Sequence, residues 1–182
     1  MRNPIDELLR EHVEIMREVD GLRRALAALD GRGAAAVAGA LPAFHAVARM
    51  MSSTLLRHAS KEDEVLFPAM ERVWGRREGT PTAVMRMEHS MIHNRVDLFR
   101  DTLAQLEAEH PEIVGRGGAL EAALAGSPDV ETLQRLGEEI VHLLDIHFGK
   151  EEDILFPMAR EILSSQDLDE VARRMDQVVA PA

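Results

Sequence analysis

The feature that most constrains this chain is a segment that occurs twice, at residues 58–68 and 147–157. Each copy begins with histidine, carries lysine three positions and glutamate four positions later, and ends in Leu-Phe-Pro. Positions i and i+4 lie on one face of an α-helix, so each copy places a histidine beside a glutamate. Leucine, isoleucine and valine recur on the same face, and the repeat therefore predicts two inward-facing polar pairs. These pairs are His58 with Glu62 and His147 with Glu151.

Two further helical patterns also carry histidine on their apolar faces. His12 lies among leucines and isoleucine near the start of the chain, and His89 and His93 form a third i, i+4 pair. Glu11 precedes His12 as Glu88 precedes His89, which makes a second, weaker repeat. Two helix pairs related by a pseudo-twofold axis would explain both repeats. Such an axis predicts a two-lobed site where the pairs meet.

Capping signals divide the chain into helices. Asn-Pro at 3–4, Thr-Pro at 80–81 and Ser-Pro at 127–128 each supply an N-cap followed by proline at the first helical position. We expect an all-α, antiparallel up-down-up-down four-helix bundle with a short extra C-terminal helix, in one domain spanning residues 1–182. A longer helical hairpin that dimerises is the alternative. The expected helices run from 3 to about 29, about 42 to 74, 80 to 109 and 127 to 163, and the bundle covers about 3–163. We expect a kink or break at Pro68, a late kink at Pro157, a Gly-interrupted connection at 111–127 and a last helix at about 166–179.

Composition narrows the chemistry that this chain can perform. It contains no cysteine, which excludes disulfides, thiolate catalysis and iron–sulfur ligation. The net charge of −11 disfavours binding to nucleic acid or to an anionic membrane surface. The N-terminal segment has no apolar signal core, and no apolar run is long enough to span a membrane. We therefore expect a cytoplasmic protein with neither a nucleic-acid nor a membrane partner.

Seven inward-facing polar groups need a partner, because an unpaired buried polar group costs several kcal/mol. One such pair alone is more often a surface pair, and a lone core histidine usually bonds a backbone carbonyl. Convergence from four helices favours a metal centre instead. Seven ligands are too many for one zinc ion, and magnesium and calcium prefer oxygen, whereas imidazole with carboxylate suits two irons. The candidate ligands are His12, His58, Glu62, His89, His93, His147 and Glu151.

This set of residues resembles the hemerythrin-like (HHE cation-binding) family over about residues 3–163, including the Leu-Phe-Pro tails of both repeats. The resemblance implies a non-haem di-iron centre with a bridging oxygen and one open coordination position, where the family binds O2. Carried over to this sequence, His89, His93 and His147 would bind one iron, His12 and His58 the other, and Glu62 and Glu151 would bridge them.

One position departs from the oxygen-carrying hemerythrins, whose helix-4 acid lies five residues after the histidine. That position is Glu152 here, and bringing it to the site would require a π-bulge, which Gly149 could permit. We prefer Glu151, because it repeats the register of Glu62. Three roles stay open: binding of O2, NO or peroxide in sensing, binding or storage; an enzyme acting on peroxide, NO or O2; and iron handling, including iron-centre repair.

The remaining histidines and several other polar residues are interpreted more simply. His45, His110 and His142 lie away from the ligand faces, although Glu107 with His110 and Glu139 with His142 fit the spacing of a ferritin-like site. We rank that alternative below the repeat. Asp63, Glu64 and Asp153 are expected on a solvated face, and Met50, Met51, Met85, Met87 and Met91 are expected to fill the core.

Overall fold

The computed structural model describes residues 3–29, 34–109 and 128–179, which form five helices and no strand. We label them α1 to α5. No described helix is long and apolar enough to cross a membrane. The bounds are Pro4–Leu29 for α1; Ala34–Met50, Met51–Leu55, Leu56–Lys61, Glu62–Leu66 and Phe67–Trp74 in unbroken succession for α2; Pro81–Glu109 for α3; Pro128–Lys150, Glu151–Leu155 and Phe156–Ile162 for α4; and Ser165–Met175 for α5.

The four long helices pack as a bundle. α1 contacts α2 and α4, and α3 contacts α4 and α2. Side-chain partners show that α1 and α2 run antiparallel, since Glu7 pairs with Lys61 while Glu11, one turn further on, pairs with His58. The predicted all-α bundle with a short C-terminal helix is confirmed.

The starts of three helices agree with the proline signals. α1 begins at Pro4, where the Asn3 side chain accepts a hydrogen bond of 2.9 Å from the backbone N–H of Ile5. α3 begins at Pro81 and α4 at Pro128, as expected. The predicted 111–127 connection lies outside the described residues.

The predicted start of the second helix is wrong. α2 begins at Ala34, and Pro42 lies inside it on an exposed position. The preceding segment is rich in alanine, the strongest helix former, and Val37 and Ala40 bury their side chains in the core. These contributions outweigh the one backbone hydrogen bond that Pro42 cannot donate.

Neither proline of the repeat breaks its helix, so the break that the sequence allows at Pro68 does not occur. Each lies just after a π-helical segment, in which the backbone makes a wider turn. Because proline has no N–H, Pro68 cannot bond the carbonyl of Glu64, which instead accepts a hydrogen bond of 3.0 Å from Arg174 on α5. The π segments beside the two prolines are Glu62–Leu66 and Glu151–Leu155, so each begins at the glutamate of its repeat.

Buried apolar side chains form two clusters along the bundle. The larger includes Ile15, Phe44 and Phe99, and the smaller includes Leu8 and Phe67. Along α1, His12 falls between Leu8 of the smaller cluster and Ile15 of the larger. A polar layer therefore separates the two cores at the level of the predicted site.

The methionines do not all fill the core as predicted. Met50, Met51 and Met85 are buried, whereas Met87 and Met91 are exposed on the outer face of α3. The prediction is wrong for these two because they lie on the opposite side of α3 from its buried residues.

α5 closes the end of the bundle that holds the smaller cluster. It starts at Ser165, close to the predicted start at about residue 166, because Ser164 and Asp167 form a reciprocal capping box. Val171 and Met175 bury their side chains in the smaller cluster.

We expect Met175→Ala to lower the free energy of unfolding by about 2–5 kcal/mol, because it removes a buried side chain from the smaller cluster. Urea unfolding followed by circular dichroism measures this. Arg173→Ala on the exposed face of α5 is the matched control and should change stability by about 0.5 kcal/mol or less. Equal losses for both variants would contradict the packing of α5 described above.

Candidate metal centre

Four helices bring six of the seven predicted side chains together between the two apolar clusters. Each is at most 4% exposed, and both glutamates are completely buried. The two pairs of the repeat are side by side, with nitrogen–oxygen distances of 3.6 Å and 3.2 Å. The six are His12 from α1, His58 and Glu62 from α2, His89 from α3, and His147 and Glu151 from α4.

These side chains form two groups that share both glutamates. Within each group, one possible ligand atom from every residue lies within 4.8 Å of the others. We call them the His12/His58 half-site and the His89/His147 half-site, each with Glu62 and Glu151. Glu151 reaches both, since its oxygens lie 3.2 Å from the Nε2 atoms of His12 and His147.

Each of the four imidazoles is hydrogen-bonded to a carboxylate through the Nδ1 atom of the ring. Such a carboxylate keeps the proton on Nδ1, so that a neutral ring turns its Nε2 lone pair toward the interior. The arrangement follows the predicted pseudo-twofold axis. The pairs are His12 with Glu152 at 2.7 Å, His58 with Glu11 at 3.0 Å, His89 with Asp63 at 3.0 Å, and His147 with Glu88 at 3.1 Å.

The inner atoms of the site are mostly acceptors without donors. The Nε2 atoms of His12 and His58 face each other at 3.1 Å. Both oxygens of Glu62 and of Glu151, and Nε2 of His89, are buried without a hydrogen-bond partner. Converging lone pairs in an apolar interior are costly unless a cation or a proton lies between them. The donor set of imidazole and carboxylate therefore fits a transition-metal ion.

Protons take up part of the charge when no cation is bound. Burial raises the pKa of the Glu151 carboxyl to about 7, and repulsion from Glu62 adds to the effect. Burial lowers the pKa of His89, but the hydrogen bond to Asp63 and the nearby carboxylate of Glu62 outweigh it and raise the pKa to about 10. Burial and the neighbouring histidines lower the pKa of His147 to about 2. A metal ion must therefore displace protons from Glu151 and His89.

We call the four carboxylates that bond the imidazole Nδ1 atoms the outer carboxylates: Glu11, Asp63, Glu88 and Glu152. Cationic side chains contact three of them. Glu152 is the exception: its side chain is 46% exposed, and histidine is its only ionic partner among the described residues. With both inner glutamates included, carboxylates outnumber fixed cations around the site, which favours binding of added positive charge. The cationic contacts are Lys61 with Glu11 at 2.5 Å, Arg86 with Asp63 at 3.2 Å, and Lys150 with Glu88.

His93, the seventh predicted ligand, belongs to neither group. It lies one turn beyond His89 on α3 and is half-buried, and its Nε2 atom is buried without a hydrogen-bond partner. Burial and the charge of His89 lower its pKa. Its role as a ligand remains a prediction.

The residues of the ferritin-like alternative have other partners. Glu107 binds His45 across α2 and α3 at 2.7 Å, and Glu139 pairs with arginines. His142 is exposed, and His110 lies outside the described residues. Neither glutamate belongs to a ligand group in the described part of the chain.

Sequence reasoning missed the outer carboxylates. Asp63 was assigned to a solvated face, which is wrong, because it binds both His89 and Arg86. The π segment that begins at Glu151 leaves Glu152 outside the inner layer, at Nδ1 of His12. On each of the four helices, an acidic residue is next in sequence to one of the six clustered side chains. This pattern was the one signal in the sequence for the outer carboxylates. The four dipeptides are Glu11-His12, Glu62-Asp63, Glu88-His89 and Glu151-Glu152.

The fold and the site define a metal-binding helical bundle. The family model described as hemerythrin HHE cation binding domain matches residues 3–107 and 101–179. The chain belongs to this hemerythrin HHE cation-binding family, and the resemblance seen in the sequence is confirmed. No curated protein matches the chain.

We expect a bound divalent ion to raise the melting temperature more at about pH 7.5 than at about pH 5.5, by roughly 3–6 °C. The raised pKa values of Glu151 and His89 mean that the metal-free protein holds these protons, and the stability they give is lost as pH rises through each pKa. Scanning calorimetry with and without Co²⁺ measures the difference. In the metal-free Glu151→Gln variant, the part of the stability loss that wild-type protein shows up to about pH 7 should be absent. A metal-induced shift that is constant or falls with pH would contradict the expectation.

Proposed function

We propose that this protein binds two iron ions, one in each half-site, with Glu62 and Glu151 as bridging ligands. The supporting observation is that two ligand groups share both of their carboxylates. Two cations held by the same two carboxylates lie side by side, and a mixed set of imidazole and carboxylate suits iron. The proposed ligands are His12, His58, Glu62, His89, His93, His147 and Glu151.

His93 would make the two half-sites unequal. It follows His89 by four residues on α3, and Met16 occupies the corresponding position after His12 on α1. A methionine thioether is a soft ligand that suits copper(I) better than iron. The His89/His147 half-site would thus have three imidazoles and the other only two. The vacant position would lie at the His12/His58 half-site, where we place binding of O2 or a related small molecule such as NO or peroxide.

Aromatic side chains give the His12/His58 half-site an apolar wall. Phe148 stacks on the His12 ring at 3.9 Å, Phe156 stacks on it at 5.4 Å, and Phe148 meets the His58 ring edge-on at 5.7 Å. Such an apolar wall disfavours charged and strongly hydrogen-bonding solutes relative to small apolar molecules such as O2 and NO. Two ferrous ions would supply the electrons for reversible O2 binding. The apolar residues around them would disfavour the separation of charged, reduced oxygen species from the site. We therefore favour sensing, binding or storage of a small molecule.

Metal content and visible spectra test the proposal. Protein purified without added metal is analysed for metal, then reduced anaerobically and exposed to air. We expect about two irons per chain and an absorption that bleaches on reduction and returns in air. Zinc alone, or no iron after anaerobic loading, would overturn the proposal.

O2 titration of the reduced protein then separates the three roles. A spectral change that reverses when O2 is purged supports small-molecule binding. Consumption of O2, NO or peroxide over many turnovers supports an enzyme instead. Loss of iron to a chelator on oxidation or reduction supports iron handling.

We expect His147→Ala and Glu62→Ala each to abolish binding of at least one iron, because each removes a buried inner side chain. Helical content by circular dichroism should stay nearly unchanged in both. His142→Ala is the matched control, since His142 is an exposed histidine on the same helix as His147. Two irons per chain in His147→Ala, or a loss in His142→Ala, would contradict the assignment.

A further inference from the structure

Lys61 and Lys150 occupy equivalent positions in the two copies of the repeat, each three residues after a histidine. Both reach back to the glutamate that holds that histidine. Lys61 donates to Glu11, which accepts from His58, and Lys150 donates to Glu88, which accepts from His147. In each case one carboxylate oxygen faces the lysine and the other faces the imidazole. The lysine therefore fixes the rotation of the carboxylate that orients the ring.

The two lysines differ in their access to solvent. The Lys61 side chain is 6% exposed and donates to Glu7 at 2.6 Å as well as to Glu11 at 2.5 Å. The Lys150 side chain is 40% exposed, and Glu88 is its one ionic partner in the described part of the chain. Water can replace an exposed ammonium group at a carboxylate, but it cannot readily replace a buried one. Removal of Lys61 would therefore leave the Glu11 carboxylate without a group that fixes its rotation. After removal of Lys150, water could take the place of the ammonium group at Glu88.

We propose that Lys61 is a positioning residue for the metal ion of the His12/His58 half-site, acting through Glu11 on His58, and that Lys150 has no comparable effect. This inference rests on the proposed metal site and adds to it a difference between its halves. The half-site with the vacant position would depend on a buried ion pair, and the other half-site would not.

A double-mutant cycle on Lys61 and Glu11 tests the inference. Metal-free protein is titrated with Co²⁺, and the visible bands give a dissociation constant for each ion. We expect Lys61→Met to weaken one of the two ions about 10- to 100-fold, the range for groups that orient a metal ligand. In the Glu11→Gln background, Lys61→Met should cause no further weakening. Lys150→Met should weaken either ion by no more than about fivefold.

Glu7→Gln is the control for a purely structural role. Glu7 also binds Lys61 between α1 and α2, whereas the carboxylate that holds His58 belongs to Glu11. We expect this variant to lower metal-free stability to urea while both Co²⁺ constants stay within about fivefold of wild type. Lys61→Arg keeps the charge and should restore most of the affinity. If Lys61→Met does not fold, Glu11→Gln against Glu7→Gln supplies the same comparison.

The outcomes separate the two levels of the proposal. Wild-type protein that fails to bind two Co²⁺ ions would overturn the proposed di-metal site and this inference with it. Wild-type protein that binds both would leave the site standing. In that case, equal effects of Lys61→Met and Lys150→Met would overturn the positioning role alone. So would additive effects of Lys61→Met and Glu11→Gln, or equal weakening by Glu11→Gln and Glu7→Gln.

Discussion

Two glutamates without any exposed surface, Glu62 and Glu151, impose the condition that the rest of the site meets. An ionised carboxylate in an apolar interior needs positive charge close by, as a proton or as a metal ion. The imidazoles turn acceptor nitrogens toward these glutamates, and outer carboxylates hold the imidazoles in that orientation. Layers of polar and charged groups thus extend outward from the buried glutamates to Lys61, Lys150 and Arg86.

The apolar clusters on either side make this polar layer possible. Residues packed above and below it fix the four helices, so the inner side chains meet without loops to position them. The π segments contribute to the same end, because each begins at an inner glutamate and widens the backbone there. A site built on packed helices positions its side chains more precisely than a site built on loops, which favours binding of an ion.

The sequence predicted the features that depend on periodicity. Helical spacing placed His58 beside Glu62 and put His12 on an apolar stripe, and the Asn3 cap located the start of α1 correctly. Features that depend on contacts between helices could not be predicted from the spacing of residues within one helix. The Glu62-Asp63 dipeptide does not show that Asp63 binds His89 rather than water, and a helix start predicted near Pro42 left out the first residues of α2. The first is a contact between two helices, and the second reflects an alanine-rich segment whose Val37 and Ala40 are buried in the core.

The hydrogen bond between His12 and Glu152 joins residues 140 positions apart. During synthesis, which proceeds from the N-terminus, this contact cannot form until α4 has left the ribosome. Neither half-site is complete before then, because each requires Glu151. A nascent chain therefore presents only fragments of the ligand set, scattered over separate helices. Capture of metal by the complete site therefore has to wait until α4 has been synthesised.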